Sequence, residues 1–393
     1  MTRTARGLAP APGSWLSVAL IYLFGVSTTA SLSKVIPVLG DVSLHLGATP
    51  AQVALLISLF GVLPAILASV AGSIVDRIGA RRALQAVAIT GVAVNAAYLA
   101  AQSLAGFMTI RVFEGLIAVG AYSAAPALIM ATVSDARRGR AMAVWSTYTP
   151  VGFSLGLVFG GAFAGTDDWR GGYLMHLVMF AALLAASWML PHAPAAPATS
   201  RAAGLFAAWS QRGPLRLALC FAALVLVGFG MNNVFPEWYA RQHAAPVGQA
   251  SNVLALINLG MIPAGFLAGA LLARGMRETR LLAALLLATV VVAVPLFLPG
   301  LSPSQRHLAM LGWMLVQGSL IAVVTAGLPR VVADPRQGAA AAGLLSQLAA
   351  ITAFVTPLIW QPILQSGRWT GFIVVTIVAA VAAWLLFPRR TPG

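Results

Sequence analysis

The sequence has little charge, fewer acids still, and almost no cysteine. Of its 393 residues only 8% are charged, and 9 acids stand against 24 basic residues, of which a single one, Lys34, is lysine. A soluble domain cannot present so little polar surface to water, which excludes the ordinary hydrated globular classes. The one cysteine, Cys220, permits neither an intrachain disulfide nor a cysteine metal centre, and reads as a small buried side chain. Catalytic signatures are missing as well. No H-E-x-x-H pattern occurs. The G-x-S-x-G match around Ser154 lies within an apolar run, not on the strand-to-helix elbow that a hydrolase nucleophile needs. No metal, no cofactor and no enzymatic activity are expected.

What is abundant is apolar. Hydrophobic residues make up 60% of the chain and its mean hydropathy is +0.89. A helix crosses a bilayer core in roughly 20 residues, so a chain of this length supplies about a dozen crossings and almost no soluble domain. Apolar runs broken by loop signals predict helices near 15–38, 51–74, 83–103, 105–131, 141–164, 171–190, 214–236, 249–273, 280–299, 308–332, 339–364 and 370–387. The first run, Trp15 to Leu39, is too long for a signal-peptide core and lacks a small-residue cleavage site, so it is read as a retained helix. The Pro- and Ser-containing stretch 191–213 reads as a cytoplasmic linker between two six-helix bundles, 1–190 and 214–393.

The formal charge of +15 could signal a nucleic-acid partner, but the basic residues sit in short loops instead of on one face. One set of loops carries 18 arginines: Arg3, Arg6, Arg77, Arg81, Arg82, Arg137, Arg138, Arg140, Arg201, Arg212, Arg216, Arg274, Arg277, Arg280, Arg330, Arg336, Arg389 and Arg390. The other set carries 4: Arg170, Arg241, Arg306 and Arg368. Positive residues stay inside, so both termini are expected in the cytoplasm of a multi-pass plasma-membrane protein, with lipid and not nucleic acid as its partner. Trp169 and Arg170 look like interface anchors. The halves also repeat. Pro37 and Pro236 lie 199 residues apart, Gly72 and Gly269 lie 197 apart, and Glu114-Gly115 and Gln317-Gly318 lie 203 apart. The loops SDARRG and ADPRQG match at a spacing of 199.

The most specific motif is GSIVDRIGARR, Gly72 to Arg82, between the second and third runs. Gly72, Asp76, Arg77, Gly79, Arg81 and Arg82 resemble the loop signature of the major facilitator superfamily. The resemblance implies an all-α membrane fold of twelve helices in two pseudo-symmetric bundles, a secondary transporter working by alternating access, and a cytoplasmic latch at this loop. Physically, Asp76 can accept from exposed N–H groups at a neighbouring helix N-terminus. The second-half counterpart has Ala273 where Asp76 stands, so the latch is expected to be asymmetric.

The fourth run carries Arg111-Val-Phe-Glu114-Gly115, which resembles a helix-4 motif of proton-coupled members with Glu114 in the glutamine place. Ionisable residues inside a membrane span are costly and usually functional. Arg111 and Glu114 are three residues apart and can pair, either as simple mutual neutralisation or with Glu114 releasing Arg111 on protonation. Gly152, Gly156, Gly160 and Gly161 form a smooth packing stripe and resemble an antiporter stretch of the superfamily, with Leu157 in the usual proline place.

Lys34 is read in two ways, as a cavity cation or as a side chain snorkelling to the outer interface. Its repeat partner is Asn233, beside Asn232, and Glu237 follows as a second candidate proton site. Tyr148, Thr149, Trp313, Gln317, Gln347 and Thr352 are candidate cavity lining or ordinary packing. The expectation is proton-coupled export of a small anionic or oxygen-rich organic molecule by a monomer. Lys34, Arg111, Tyr148, Asn232, Asn233 and Gln347 are the candidate substrate residues and Glu114 the candidate proton carrier. Uptake of an organic anion by symport is the alternative, and a membrane receptor or embedded enzyme a more remote one.

Overall fold

The computed structural model describes residues 11–192, 207–332 and 338–389. Arg3, Arg6, Arg201, Arg336 and Arg390, most of the linker and nearly all of ADPRQG lie outside them. Among the described residues the protein is helical with no strand. The helices are α1 (Trp15–Ser33), α2 (Leu39–Leu46), α3 (Pro50–Ser58), α4 (Val62–Ile78), α5 (Ala80–Ala100), α6 (Leu104–Thr132), α7 (Asp135–Trp145), α8 (Tyr148–Gly161) and α9 (Gly171–Ser187). They continue as α10 (Ala207–Ser210), α11 (Arg212–His243), α12 (Val247–Asn258), α13 (Met261–Ala273), α14 (Glu278–Phe297), α15 (Pro303–Ala326), α16 (Leu328–Val331), α17 (Gly338–Ser366) and α18 (Thr370–Leu386). Taken as continuous spans, 10 among the described residues are long and apolar enough to cross a membrane, and Gly171–Ser187 and Thr370–Leu386 are shorter apolar helices at the sixth and twelfth expected positions.

Several of the expected spans are broken, and proline explains where. A proline lacks an N–H and its ring clashes with the carbonyl four residues earlier. Counting back from Pro37 gives Ser33, where α1 ends. The same count from Pro64 gives Phe60, within the 3-10 turn Leu59–Gly61 that separates α3 from α4. From Pro150 it gives Ser146, between α7 and α8. From Pro263 it gives Leu259, between α12 and α13. The pairs Gly61/Pro64 and Gly260/Pro263 are each 199 residues apart, so both halves break their second span at the same register. Pro126, Pro236, Pro295, Pro357 and Pro362 are instead carried inside unbroken helices. Membrane helices tolerate this where neighbouring groups satisfy the freed carbonyl.

The chain forms two compact units, Met1–Ala48 with Val70–Arg201, and Thr49–Ser69 with Ala202–Gly393. The division at 191–213 expected from composition therefore differs in one segment, 49–69, which packs within the second unit. There Gly61 lies against Phe354, Gln347 Nε2 donates to the Ala65 carbonyl at 3.1 Å, and Gln365 Nε2 donates to that of Pro50 at 3.1 Å. The first unit packs Phe24, Leu84, Ile117, Leu128 and Phe180 in its core, and the second Leu217, Leu282, Leu320, Val324 and Leu344. Cys220 is buried and in no disulfide.

Many arginines do more than set topology. The last carbonyls of a helix have no partner within it and carry partial negative charge, and a guanidinium fork can reach two of them. Arg216 donates to the carbonyls of Leu385 and Leu386 at 2.8 and 3.3 Å, at the end of α18. Arg306, expected in a loop, is buried and donates to Leu296 and Leu298 at 2.5 and 3.0 Å, at the end of α14, with its plane over Trp238. Arg170 donates to Ala101 at 2.7 Å, beyond α5, and stacks on Trp169, whose ring is itself buried.

Candidate functional site

The densest set of buried ionisable groups lies where α1, α5, α6 and α9 meet in the first unit. Pro37 ends α1 at Ser33 and thereby strips the carbonyls of its last turn of their helical partners. Arg111, on α6, supplies replacements. Its Nη1 donates to the Ser31 carbonyl and its Nη2 to that of Leu32, each at 2.8 Å, and Nη1 also reaches Glu114 Oε2 at 2.7 Å. Arg111 thus caps α1 while pairing with the acid one turn away on its own helix.

Lys34 stands immediately after that helix end. Its Nζ donates to Asn95 Oδ1 at 2.5 Å, to Glu114 Oε1 at 2.7 Å and to His176 Nδ1 at 2.9 Å. An ammonium has three donors and no acceptor, so all three are committed. His176 Nε2 lies 3.0 Å from the Ser27 carbonyl and must donate to it, which leaves Nδ1 as the acceptor facing Lys34. Asn95 is fixed by its Nδ2 donating to the Gly91 carbonyl at 2.7 Å. Glu114 accepts a further bond from Tyr98 Oη at 2.8 Å. The Tyr98 and Tyr173 rings lie 5.3 and 4.8 Å from Lys34 Nζ, close enough for a cation–π attraction. Phe107 and Trp169 close the aromatic side. Lys34, Asn95, Arg111, Glu114 and His176 are all buried, so Lys34 does not snorkel.

The remaining candidates separate into groups. Tyr148 packs in tilted contact with Trp145 and Tyr122, ring centres 4.4 and 5.1 Å away, and Tyr122 Oη bonds Thr29 Oγ1 at 2.9 Å. In the second unit Asn232, Asn233, Gln317 and Gln361 are buried, yet Asn233 and Gln361 have no partner among the described residues for either amide atom. Asn232 Oδ1, Gln317 Nε2, Gln347 Oε1 and the Trp313 and Trp360 indole N–H groups are likewise without partners there. Gln317 lies against Gly228 of α11, and Trp360 against Gly230. Glu237 is half-buried and pairs with Arg241 one turn on. Asn95, Tyr98, Tyr173 and His176 were not foreseen. Their only signal is a polar or histidine side chain in the middle of an apolar run.

The glycine stripe is a contact surface. A Cβ at Gly152, Gly156 or Gly160 would come within 2.4, 2.5 and 2.2 Å of the carbonyls of Val26, Ala30 and Lys34, so only glycine lets α8 lie on α1. Gly161 is also buried in α8. In the loop from Gly72 to Arg82, Gly79 has a φ of +86° and turns the chain from α4 into α5. Gly275, with a φ of +89°, follows α13 in the second half. Arg81 donates to the Trp188 carbonyl at 2.7 Å and contacts His192, at the end of α9. Gly72, Arg77 and Arg82 are exposed, and Asp76 is half-buried at the end of α4.

The family model of the Major Facilitator Superfamily matches residues 16–325. The chain belongs to the Major Facilitator Superfamily. It is a membrane transporter by family. By sequence, no curated protein matches. Among solved structures, a bacterial homologue of the human lysosomal transporter Spinster, inward-facing and unoccupied, has a TM-score of 0.77 at 16% identity over 96% of this chain and 98% of that one. The same kind of homologue in an inward-facing, occupied conformation gives a TM-score of 0.71 at 16% identity, over 94% and 95%. At that identity the likeness is one of fold.

Proposed function

We propose that this protein is a proton-coupled exporter of small oxygen-rich organic molecules across a bacterial inner membrane, working as a monomer by alternating access with both termini in the cytoplasm. The observation that carries the reading is the buried cluster of Lys34, Arg111 and Glu114, whose charges a membrane protein keeps at considerable cost unless they serve a cycle. The carboxylate touches both cations, so one proton added to or taken from the cluster changes what holds α1, α6 and α9 together. Export by antiport draws support from the glycine stripe of α8, which lies directly on the broken end of α1. The loop with Asp76, Arg77, Arg81 and Arg82 is the proposed cytoplasmic latch.

The substrate class follows from which polar groups are still available. Lys34 has committed every donor within the first unit, so a tightly held anion is not required. The amides of Asn232, Asn233, Gln317 and Gln361 and the indoles of Trp313 and Trp360 offer donors and acceptors to hydroxyls, carbonyls and ethers alike. The test has two stages. A thermal-shift panel of organic anions, polyols, siderophores and cationic drugs identifies a binder. Everted membrane vesicles with an acidified interior are then expected to accumulate it, and Glu114→Gln to abolish that accumulation. Accumulation by intact cells under an inward proton gradient would instead establish symport, and accumulation that ignores the gradient would remove the proton from the reading.

A further inference from the structure

The cluster counts two cations against one anion. Lys34 and Arg111 both meet Glu114, at 2.7 Å each, with all three side chains fully buried. The other groups facing Lys34 are uncharged polar ones or rings: Asn95 and Tyr98 from α5, Tyr173 and His176 from α9. From α8, Gly160 meets the Lys34 backbone. An excess positive charge in a membrane interior is expensive, and the site can shed it in only one way. A guanidinium does not give up its proton in a protein, and Arg111 is in addition bound to the end of α1. A lysine can give up its proton. Protonating Glu114 works in the opposite direction, because it would leave two buried cations facing a neutral acid.

We infer that Lys34, and not Glu114, is the group that releases and rebinds the coupling proton, and that His176 is the positioning residue that holds its Nζ. In the release step an Nζ–H bond breaks, the electron pair stays on nitrogen, and the proton passes to water. The cluster goes from one net positive charge to none. His176 suits this role because its Nε2–H is anchored on Ser27 and its Nδ1 lone pair is fixed on Lys34. The freed amine keeps Asn95 and Glu114 as acceptors for its remaining hydrogens. Its own lone pair then opposes that of Nδ1, so the Lys34–His176 contact is lost and the Nε2–H bond to Ser27 is what remains of that link between α9 and α1. The inference rests on the proton-coupled reading and names the carrier within it.

The chain's having a single lysine makes the test direct. Protein labelled with ¹³C,¹⁵N-lysine and reconstituted in lipid nanodiscs gives one lysine side-chain signal, whose Cε and Nζ shifts separate ammonium from amine. The proton itself is the probe. The signal is expected to pass from ammonium to amine between about pH 6 and about pH 9, where a free lysine remains ammonium. In His176→Asn the same transition is expected to be displaced by about one pH unit. An ammonium signal unchanged over that range overturns the inference, and so does a transition that His176→Asn leaves in place. Transport separates this failure from that of the underlying reading. With the binder from the thermal-shift panel, Lys34→Arg keeps the charge but cannot release it, and is expected to lose proton-driven accumulation. Proton-driven accumulation that persists in folded Lys34→Arg removes Lys34 as carrier but leaves proton coupling standing. Wild-type vesicles indifferent to the gradient remove both.

Discussion

Lys34 and Asn233 occupy equivalent places in the two halves, 199 residues apart and each with 1% of its surface exposed, yet their surroundings are opposite. Lys34 uses every donor on Asn95, Glu114 and His176, whereas neither amide atom of Asn233 has a partner among the described residues. The difference starts in the backbone. Pro37 ends its helix at Ser33, while Pro236 sits inside a helix that runs on to His243. A broken helix end offers bare carbonyls and the negative end of a dipole, which draws in Arg111 and with it Glu114. A continuous helix offers neither, and Met314, at the spacing that relates Glu114 to Gln317, stands where Arg111 would be. The first half therefore carries a nearly closed electrostatic network in which Tyr173 Oη has no partner among the described residues, and the second a set of neutral amides.

The largest effect is expected where the network is closed. Glu114→Ala leaves both buried cations without their carboxylate, a change that costs about 3–5 kcal/mol, and its melting temperature in detergent should fall by more than that of any other variant in this group. A Glu114→Ala protein melting like wild type would mean that the cluster opens to water. Next comes the contact that fixes α1. Gly156→Val forces atoms into the Ala30 carbonyl and Ser33 Oγ and should cost about 1–3 kcal/mol, whereas Gly72→Ala, with nothing within 4 Å of its new Cβ, should change stability by less than about 0.5 kcal/mol.

The comparison itself is sharpened by removing one amide from each half. Asn95→Leu takes an acceptor from Lys34 and should destabilise by about 1–3 kcal/mol, while Asn233→Leu removes groups that are already unpaired and should be neutral or slightly stabilising. Asn233→Leu should nonetheless weaken whatever ligand the thermal-shift panel identifies. Equal losses of stability in the two variants would show that Asn233 is not an unsatisfied group in the membrane. The smallest loss from removing a hydrogen-bonded group is expected from Arg216→Gln, an exposed cap of α18, at about 0.3–1 kcal/mol and diminishing with added salt.

Much of the fold was legible from composition, because lipid permits few solutions. Runs of apolar residues near 20 long, broken by arginine-bearing loops, can only be spanning helices. The breaks within the spans were not expected: they fall at Gly61/Pro64 and Gly260/Pro263, but prolines elsewhere are carried inside unbroken helices, so proline position alone does not say which span breaks. The candidate site was half legible. Arg111 and Glu114 share a helix and a three-residue spacing, so their pairing follows from helical geometry. Asn95 and His176 sit on other helices, and no spacing along the chain relates them to Lys34.

By itself, then, the sequence determined the solvent, the apolar spans and the repeat, since these follow from composition and spacing along the chain, whereas prolines at equivalent places, Pro37 and Pro236, end one helix and not the other. Tertiary structure decided which side chains share a charge. Whether Lys34 reaches water, a substrate or Glu114 depends on how four helices from distant parts of the chain pack, and at the 2.7 Å of that contact a one-residue rotation of any helix would give a different answer.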